Sequence, residues 1–184
     1  MCGFYFEECK NSIKKSKLQI SNLKQILNNR GPDSFNHINE NKLFIAFSRL
    51  SIQDMNNRAN QPFMDKNKKY YLIFNGELYN FIKLRDELKN QGIKFYTRSD
   101  TEVLFNLLIL KGIKHTLSVI EGMFSFVFIE KQKKIIYGAR DHFGQKPLYY
   151  SKSKNNFLAS TNIKAILENL NYKTQKLDQE SVKQ

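Results

Sequence analysis

Residues 123–160 contain four apolar segments in direct succession, separated only by short polar turns. They are MFSFVFIE, KIIYGAR, PLYYS and NFLAS, which together run from Met123 to Ser160. Strands that adjoin without an intervening helix pair as antiparallel neighbours, whereas a doubly wound parallel sheet alternates each strand with a helix. The sequence therefore predicts an antiparallel α+β fold.

The other predicted elements follow from hydrophobic periodicity and from turn residues. Strands are predicted at Gly3–Cys9, Lys42–Ile52 and Tyr70–Phe74, and helices at Lys17–Asn29, around Phe81 to Leu88, from Ser99 onward and at Thr161–Leu170. The S-x-x-E form of Ser99 to Glu102 is typical of a capping box and places Asp100 at a helix N-terminus, where negative charge is stabilised. With 184 residues, of which 41% are hydrophobic, the chain is expected to form one domain over residues 1–170, followed by a polar tail at 171–184.

Composition narrows the classes of function. Only Cys2 and Cys9 are available for disulfides, which favours a reducing, cytoplasmic setting. The net charge is +13, but the lysines are scattered along the chain without a basic cluster, which disfavours a nucleic-acid partner. His37, His115 and His142 lack the spacing of a metal site, so we predict no metal, and no apolar run is long enough to predict a membrane span.

Cys2 directly follows the initiator methionine. A penultimate residue this small allows Met1 to be trimmed, which would leave Cys2 with a free α-amine. An α-amine has a pKa of about 7.7–8.0 and a thiol has a pKa of about 8.5, so the amine could accept the thiol proton near neutral pH. One residue would then hold both a nucleophile and a base. Position alone is weak support, because a lone cysteine can equally be an accident of composition.

Three further positions suit the binding of an amino acid, and each has an ordinary structural alternative. Arg49 ends a predicted strand and could clamp a carboxylate, or it could be a surface arginine. Asn75-Gly76 could supply two donors to an oxyanion, or it could be a common hairpin turn after the strand. Asp100 could receive an ammonium group in addition to capping its helix. The segment Arg140–Tyr150 is expected to be a charged turn with little direct catalytic role.

Taken together and in order, eight short segments resemble the glutaminase domain of glutamine-hydrolysing asparagine synthetase. That domain is a class II glutamine amidotransferase, one of the N-terminal-nucleophile hydrolases. The matching segments span nearly the whole chain: Met1-Cys2-Gly3, Arg30-Gly31-Pro32-Asp33, Arg49-Leu50-Ser51-Ile52, Gln61-Pro62, Asn75–Asn80, Ser99–Val103, Gly122-Met123-Phe124 and Arg140–Tyr150.

The resemblance implies a four-layer αββα sandwich of two antiparallel sheets and a specific site. Cys2 would attack the side-chain amide of L-glutamine, and Asn75 and Gly76 would hold the oxyanion. The residues implied to bind the rest of glutamine are Arg49 at the α-carboxylate, Leu50, Ser51, Ile52 and Gln53 along the pocket, and Glu77 and Asp100 at the α-ammonium group.

The resemblance also implies a partner. Family members pass the released ammonia to an ATP-dependent synthetase that amidates aspartate to asparagine, and that domain carries an S-G-G-x-D-S phosphate loop. This sequence contains no such loop, so ATP and magnesium are expected only on a separate synthetase domain or subunit, and residues 171–184 resemble the start of the linker toward it. Two alternatives stay open: a non-catalytic glutamine-binding or regulatory module, and an ammonia donor for a different acceptor.

Overall fold

Two antiparallel sheets form the centre of the protein in a computed structural model, which describes residues 1–170. In chain order the strands are β1 (Gly3–Cys9), β2 (Ser34–Glu40), β3 (Leu43–Arg49), β4 (Phe63–Met64), β5 (Tyr70–Leu78), β6 (Gly122–Glu130), β7 (Ile135–Arg140), β8 (Tyr149–Lys152) and β9 (Asn156–Ser160). The first sheet has the order β2-β3-β1-β9-β8 and the second the order β4-β5-β6-β7. Every strand pair in both sheets is antiparallel.

Four helices cover the outer faces of the sheets. They are α1 (Lys17–Asn28), α2 (Phe81–Asn90), α3 (Asp100–Val119) and α4 (Ile163–Leu167). Leu23 and Leu27 of α1 and Ala165 of α4 pack on the first sheet, whereas α2 and α3 share a core with the second sheet. A third core lies between the sheets, so the predicted αββα sandwich is confirmed.

The strand prediction missed β2 and the two-residue β4, and it ended the strand from Tyr70 too early, at Phe74. No strand was predicted at β2, because SFNHINE is polar and lacks the alternation of a half-buried strand; it forms the edge of its sheet. Asn75-Gly76 was predicted to be a tight turn, yet β5 passes straight through it and stays in register with β6 as far as Leu78 opposite Gly122. Long-range pairing with β6 therefore overrides the local turn preference of this dipeptide.

The start of α3 follows its sequence signal only in part. The Ser99 hydroxyl accepts a hydrogen bond from the Glu102 amide at 3.4 Å, as a cap should. The Glu102 carboxylate, however, accepts from the amides of Tyr96 and Thr97, so it anchors the preceding loop instead of closing a reciprocal box. The helix is interrupted at Gly112, whose φ of 73° is a left-handed conformation that glycine adopts without strain.

Within residues 1–170, none of the helices has the length and apolar character required to cross a membrane. The predicted polar tail at 171–184 lies outside the described residues.

Candidate active site

A pocket opens at the end of the sandwich where β1 begins and β3 ends. Nine of the ten residues predicted for the site line it: Cys2, Arg49, Leu50, Ile52, Gln53, Asn75, Gly76, Glu77 and Asp100. The exception is Ser51, whose amide instead donates to the Asp33 carboxylate at 2.7 Å. Residues separated by almost a hundred positions in sequence are thus brought to one place by four different elements.

The Cys2 thiol lies against the backbone of Leu50. Its Sγ donates to the Leu50 carbonyl at 3.6 Å and accepts from the Leu50 amide at 3.4 Å. Burial raises the pKa of this thiol, and the Leu50 amide opposes that effect. The Cys2 carbonyl accepts from Arg30 Nε at 3.1 Å, so both the side chain and the backbone of the residue are held in place.

The R-G-P-D segment braces the loop that follows β3. The Asp33 amide donates to the Arg49 carbonyl at 3.0 Å, while its carboxylate holds the Ser51 amide. Gly31 lies so close to β3 that a Cβ there would approach the Ser48 carbonyl oxygen to 2.3 Å. This close approach explains why glycine is required at that position, and it fixes the Leu50 backbone beside the thiol.

Asn75 and Gly76 present two donors to the pocket. Asn75 is 1% exposed, and its buried Nδ2 has no hydrogen-bond partner within residues 1–170. The amides of Phe74 and Leu78 donate to the side chains of Gln61 at 2.6 Å and Asp100 at 3.0 Å. Because residues two apart on a strand direct their amides to the same edge, the Gly76 amide points to the pocket edge as well.

The Arg49 guanidinium holds the loop that closes one side of the pocket. Nη1 donates to the Asn56 carbonyl at 3.1 Å and to Asn60 Oδ1 at 2.8 Å, and Nη2 donates to the carbonyls of Gln53 and Asp54. These four bonds occupy both terminal nitrogens and leave only the Nε hydrogen of the five donors. The predicted two-bond clamp on a carboxylate therefore requires that some loop acceptors be exchanged for carboxylate oxygens.

Asp100 and Glu77 form the acidic side of the pocket. Burial raises the pKa of Asp100 to about 6, the amide of Leu78 opposes this, and the neighbouring charge of Glu77 adds to it. A carboxylate in this environment gains most from a cation that arrives with a ligand, since the cation favours its ionised form.

Gln61 and Lys146 also line the pocket and were not predicted as site residues. Gln61 pairs with both backbone groups of Phe74, donating at 3.0 Å and accepting at 2.6 Å, and thereby extends the edge of the sheet beyond β4. Lys146 brings an ammonium group into the pocket from the segment Arg140–Tyr150, for which little catalytic role was expected. The Gln61-Pro62 and Arg140–Tyr150 matches were visible in the sequence, but neither pattern indicates which side chain faces inward.

Comparison with known proteins agrees with this geometry. Residues 1–184 match the glutamine amidotransferase domain family. Asparagine synthetase [glutamine-hydrolyzing] 1 of Bacillus subtilis (strain 168) is 41% identical over 155 residues, which cover 82% of this chain and 24% of that protein. The amidase chyE of Penicillium rubens is 34% identical over 142 residues, or 77% of this chain and 21% of its own length. The chain thus spans about a quarter of the length of the curated relatives it matches.

Solved structures support the same fold at lower sequence identity. The B. subtilis glutamine phosphoribosylpyrophosphate amidotransferase, solved with ADP and GMP, has a TM-score of 0.68 and 20% identity over 90% of this chain and 43% of its own. The allosteric regulatory enzyme of purine biosynthesis has a TM-score of 0.71 and 21% identity over the same shares of the two chains. On the match along its whole length, the chain is a glutamine amidotransferase domain, homologous to the glutaminase domains of glutamine-hydrolysing asparagine synthetases.

Proposed function

We propose that this domain hydrolyses the side-chain amide of L-glutamine with Cys2 as the N-terminal nucleophile. In the structure the Cys2 nitrogen is a peptide amide joined to Met1, so it carries no basic lone pair. Removal of Met1 would convert that nitrogen into an α-amine able to accept the thiol proton. The active species of the proposal is therefore the trimmed chain.

The unpartnered Nδ2 of Asn75 carries the proposal. A buried donor without a partner costs about 1–3 kcal/mol, a cost that an acceptor arriving in the pocket would offset. Three other buried polar atoms within residues 1–170 also lack partners, on Asn36, Ser48 and Ser125, but none of these residues lines the pocket. The free Asn75 donor and the adjacent Gly76 amide support an oxyanion hole at this edge of the pocket.

The proposed reaction proceeds in two steps. The thiol proton moves to the α-amine, the Cys2 sulfur attacks the amide carbon of glutamine, and Asn75 and Gly76 donate to the oxyanion. The amine then returns the proton to the leaving nitrogen, which departs as ammonia, and a γ-glutamyl thioester remains. Water, deprotonated by the same amine, attacks the thioester and releases glutamate with the thiol restored.

The amino-acid end of glutamine fits the two charged sides of the pocket. Arg49 would bind the α-carboxylate through Nε and exchanged loop bonds, assisted by the backbone from Leu50 to Gln53, although Ser51 itself contributes through its contact with Asp33. Glu77 and Asp100 would receive the α-ammonium group. A zwitterionic amino acid needs one cation and one anion at a fixed separation, and this pocket offers both.

We propose that the ammonia passes to an ATP-dependent synthetase domain or subunit, which would amidate aspartate to asparagine. The similarity to a B. subtilis glutamine-hydrolysing asparagine synthetase supports this acceptor. ATP and magnesium would bind to that partner, and this chain would need no cofactor of its own. The alternative is a different acceptor, and its motivation is that a similar fungal protein is named an amidase and not an asparagine synthetase. Glutamine-dependent product formation with each candidate synthetase distinguishes the two.

Glutamate release from glutamine tests the glutaminase activity, with loss of Met1 verified by mass spectrometry. Cys2→Ala is expected to abolish release, while the matched control Cys9→Ala keeps it, because Cys9 lies at the opposite end of β1. Asn75→Ala is expected to lower kcat by about 10²–10³. Trimmed, folded protein that releases no glutamate, alone or with a synthetase partner, would contradict the proposal and favour a non-catalytic glutamine-binding module.

A further inference from the structure

Lys146 places a buried ammonium group in the pocket, and the proposed reaction does not use it. The residue is 6% exposed. Its Nζ lies 3.1 Å from the Met1 Sδ, and no carboxylate forms a salt bridge with it among residues 1–170. Buried charges are normally paired, so an ammonium held here without a counter-ion indicates a role in the site.

The ammonium is held on a rigid turn. The Asp141 carboxylate accepts the amide of Lys146 at 3.0 Å and that of Gln145 at 2.9 Å. The backbone from which the lysine side chain extends is thereby fixed between β7 and β8. The fold therefore directs the Lys146 ammonium group into the pocket, unlike the ammonium group of a mobile surface lysine.

Met1 lies between two cations. Its Sδ is 3.1 Å from Lys146 Nζ and 4.0 Å from Arg30 Nη2, and the Arg30 Nε donates to the Cys2 carbonyl. Trimming of Met1 would therefore create the new α-amine in the pocket that Lys146 also lines, on the residue whose carbonyl Arg30 binds. If that amine were protonated, three positive charges would stand close together.

We propose that Lys146 is a positioning residue for the catalytic base: together with Arg30, its ammonium keeps the α-amine of trimmed Cys2 in the neutral, proton-accepting form. The inference rests on the proposed glutaminase function. A neighbouring cation disfavours protonation of an amine and so lowers its pKa from the ordinary value of about 7.7–8.0. The base would then be available at neutral pH.

Some of the other charges around the pocket favour protonation of the α-amine, and others disfavour it. Carboxylates on β5 and α3 favour the protonated amine, but in the working complex they would be neutralised by the α-ammonium group of glutamine. Besides the Cys2 thiol itself, the charged and titratable groups that line the pocket are Arg49 on β3, Glu77 on β5, Asp100 on α3 and Lys146 before β8. Arg30 after α1 binds the Cys2 carbonyl, and Tyr149 on β8 interacts with Arg30.

The pH dependence of kcat in the trimmed chain tests the inference, because kcat reports the glutamine complex, in which the carboxylates are neutralised. Lys146→Met keeps most of the side-chain volume and removes the charge, so the acid limb of the profile is expected to move up by about 0.5–1 pH unit. Lys146→Arg restores a cation and is expected to return the limb toward the wild-type position. Lys83→Met, which removes an exposed lysine from α2, is the matched control and leaves the limb in place.

A second measurement does not depend on catalysis. The α-amine of trimmed Cys2→Ala protein can be titrated by NMR with and without Lys146→Met, and its pKa is expected to be lower when the lysine is present. An unchanged amine pKa in a folded Lys146→Met chain would overturn the inference even if glutaminase activity is intact. Failure of the glutaminase proposal has a different signature, namely wild-type protein without glutamate release.

Discussion

Asp100 and Asp141 are both buried aspartates, each 5% exposed, and the protein holds them in opposite ways. Asp141 lies in the turn after β7 and is surrounded by backbone donors. Asp100 lies at the first residue of α3, deep in the pocket and next to another acid. The comparison separates a carboxylate that stabilises the fold from one that is available to a ligand.

Asp141 is saturated with hydrogen bonds. Burial alone would raise its pKa, but the backbone donors outweigh burial and hold the pKa below its usual range. Its two oxygens accept four amides at 2.9–3.2 Å, from Phe124, Phe143, Gln145 and Lys146. This carboxylate has little remaining capacity for a ligand, and its ionised form stabilises the native state.

The Asp100 carboxylate accepts fewer hydrogen bonds than that of Asp141. Burial is the main reason that its pKa rises to about 6, and the charge of Glu77 contributes in the same direction. At neutral pH its ionised form therefore costs folding free energy, which a bound ammonium group would offset. The same residue type thus indicates structure where backbone amides outweigh the effect of burial on its pKa and function where burial outweighs the amides.

The largest effect is expected from Asp141→Asn. The amide NH2 group cannot accept the hydrogen bonds that one carboxylate oxygen accepts, so two buried backbone amides lose their acceptor. The free energy of unfolding at pH 7 is expected to fall by about 3 kcal/mol, measured by urea denaturation. In the wild-type protein, ionised Asp141 contributes to the free energy of unfolding above about pH 4, the ordinary aspartate pKa. That contribution is lost as the pH falls through the lowered pKa of Asp141 in the native state. An Asp141→Asn variant as stable as the wild-type protein would contradict the structural role assigned to Asp141.

Asp100→Asn is the matched substitution and is expected to act in the reverse direction on stability. Asn retains an oxygen for the Leu78 amide and removes the buried charge, so unfolding should cost about 1–3 kcal/mol more at pH 7. This gain should vanish near pH 4, where the wild-type aspartate is protonated in the native state. Glutamine affinity, measured by calorimetry in the Cys2→Ala background, should fall about 10²-fold. Full glutamine affinity in this variant would show that Asp100 does not bind glutamine.

The smallest effect is expected from Glu77→Gln. Loss of the neighbouring negative charge should lower the pKa of Asp100 below about 6, by about half a unit, as measured by ¹³C NMR of the Asp100 carboxyl group. The wild-type protein is expected to lose glutamine affinity below about pH 6, and in this variant that loss should begin at a lower pH. An unshifted Asp100 titration would show that burial alone sets its pKa.

The sequence pattern predicted more of the fold than of the site. Helices α1 and α2, the cap at Ser99 and the strands from β6 to β9 all have local signals in periodicity or capping, and each was observed within a few residues. β2 has no such signal, because an edge strand buries too little to alternate clearly. Most of the pocket residues were predicted from the family resemblance. The residue type at a single position was not enough, because each candidate could equally have had an ordinary structural role.

By itself, the sequence determined the antiparallel α+β class, the elements with strong periodicity and the segments that converge on the pocket. Only the tertiary structure decided that β5 runs straight through Asn75-Gly76, that Arg49 also holds the pocket loop and that Lys146 faces inward. It also distinguished Asp100 from Asp141, two aspartates that look alike in the sequence. The physical reason is that helix caps and periodicity act over a few residues, whereas burial, strand register and the number of donors around a charge depend on contacts between distant parts of the chain.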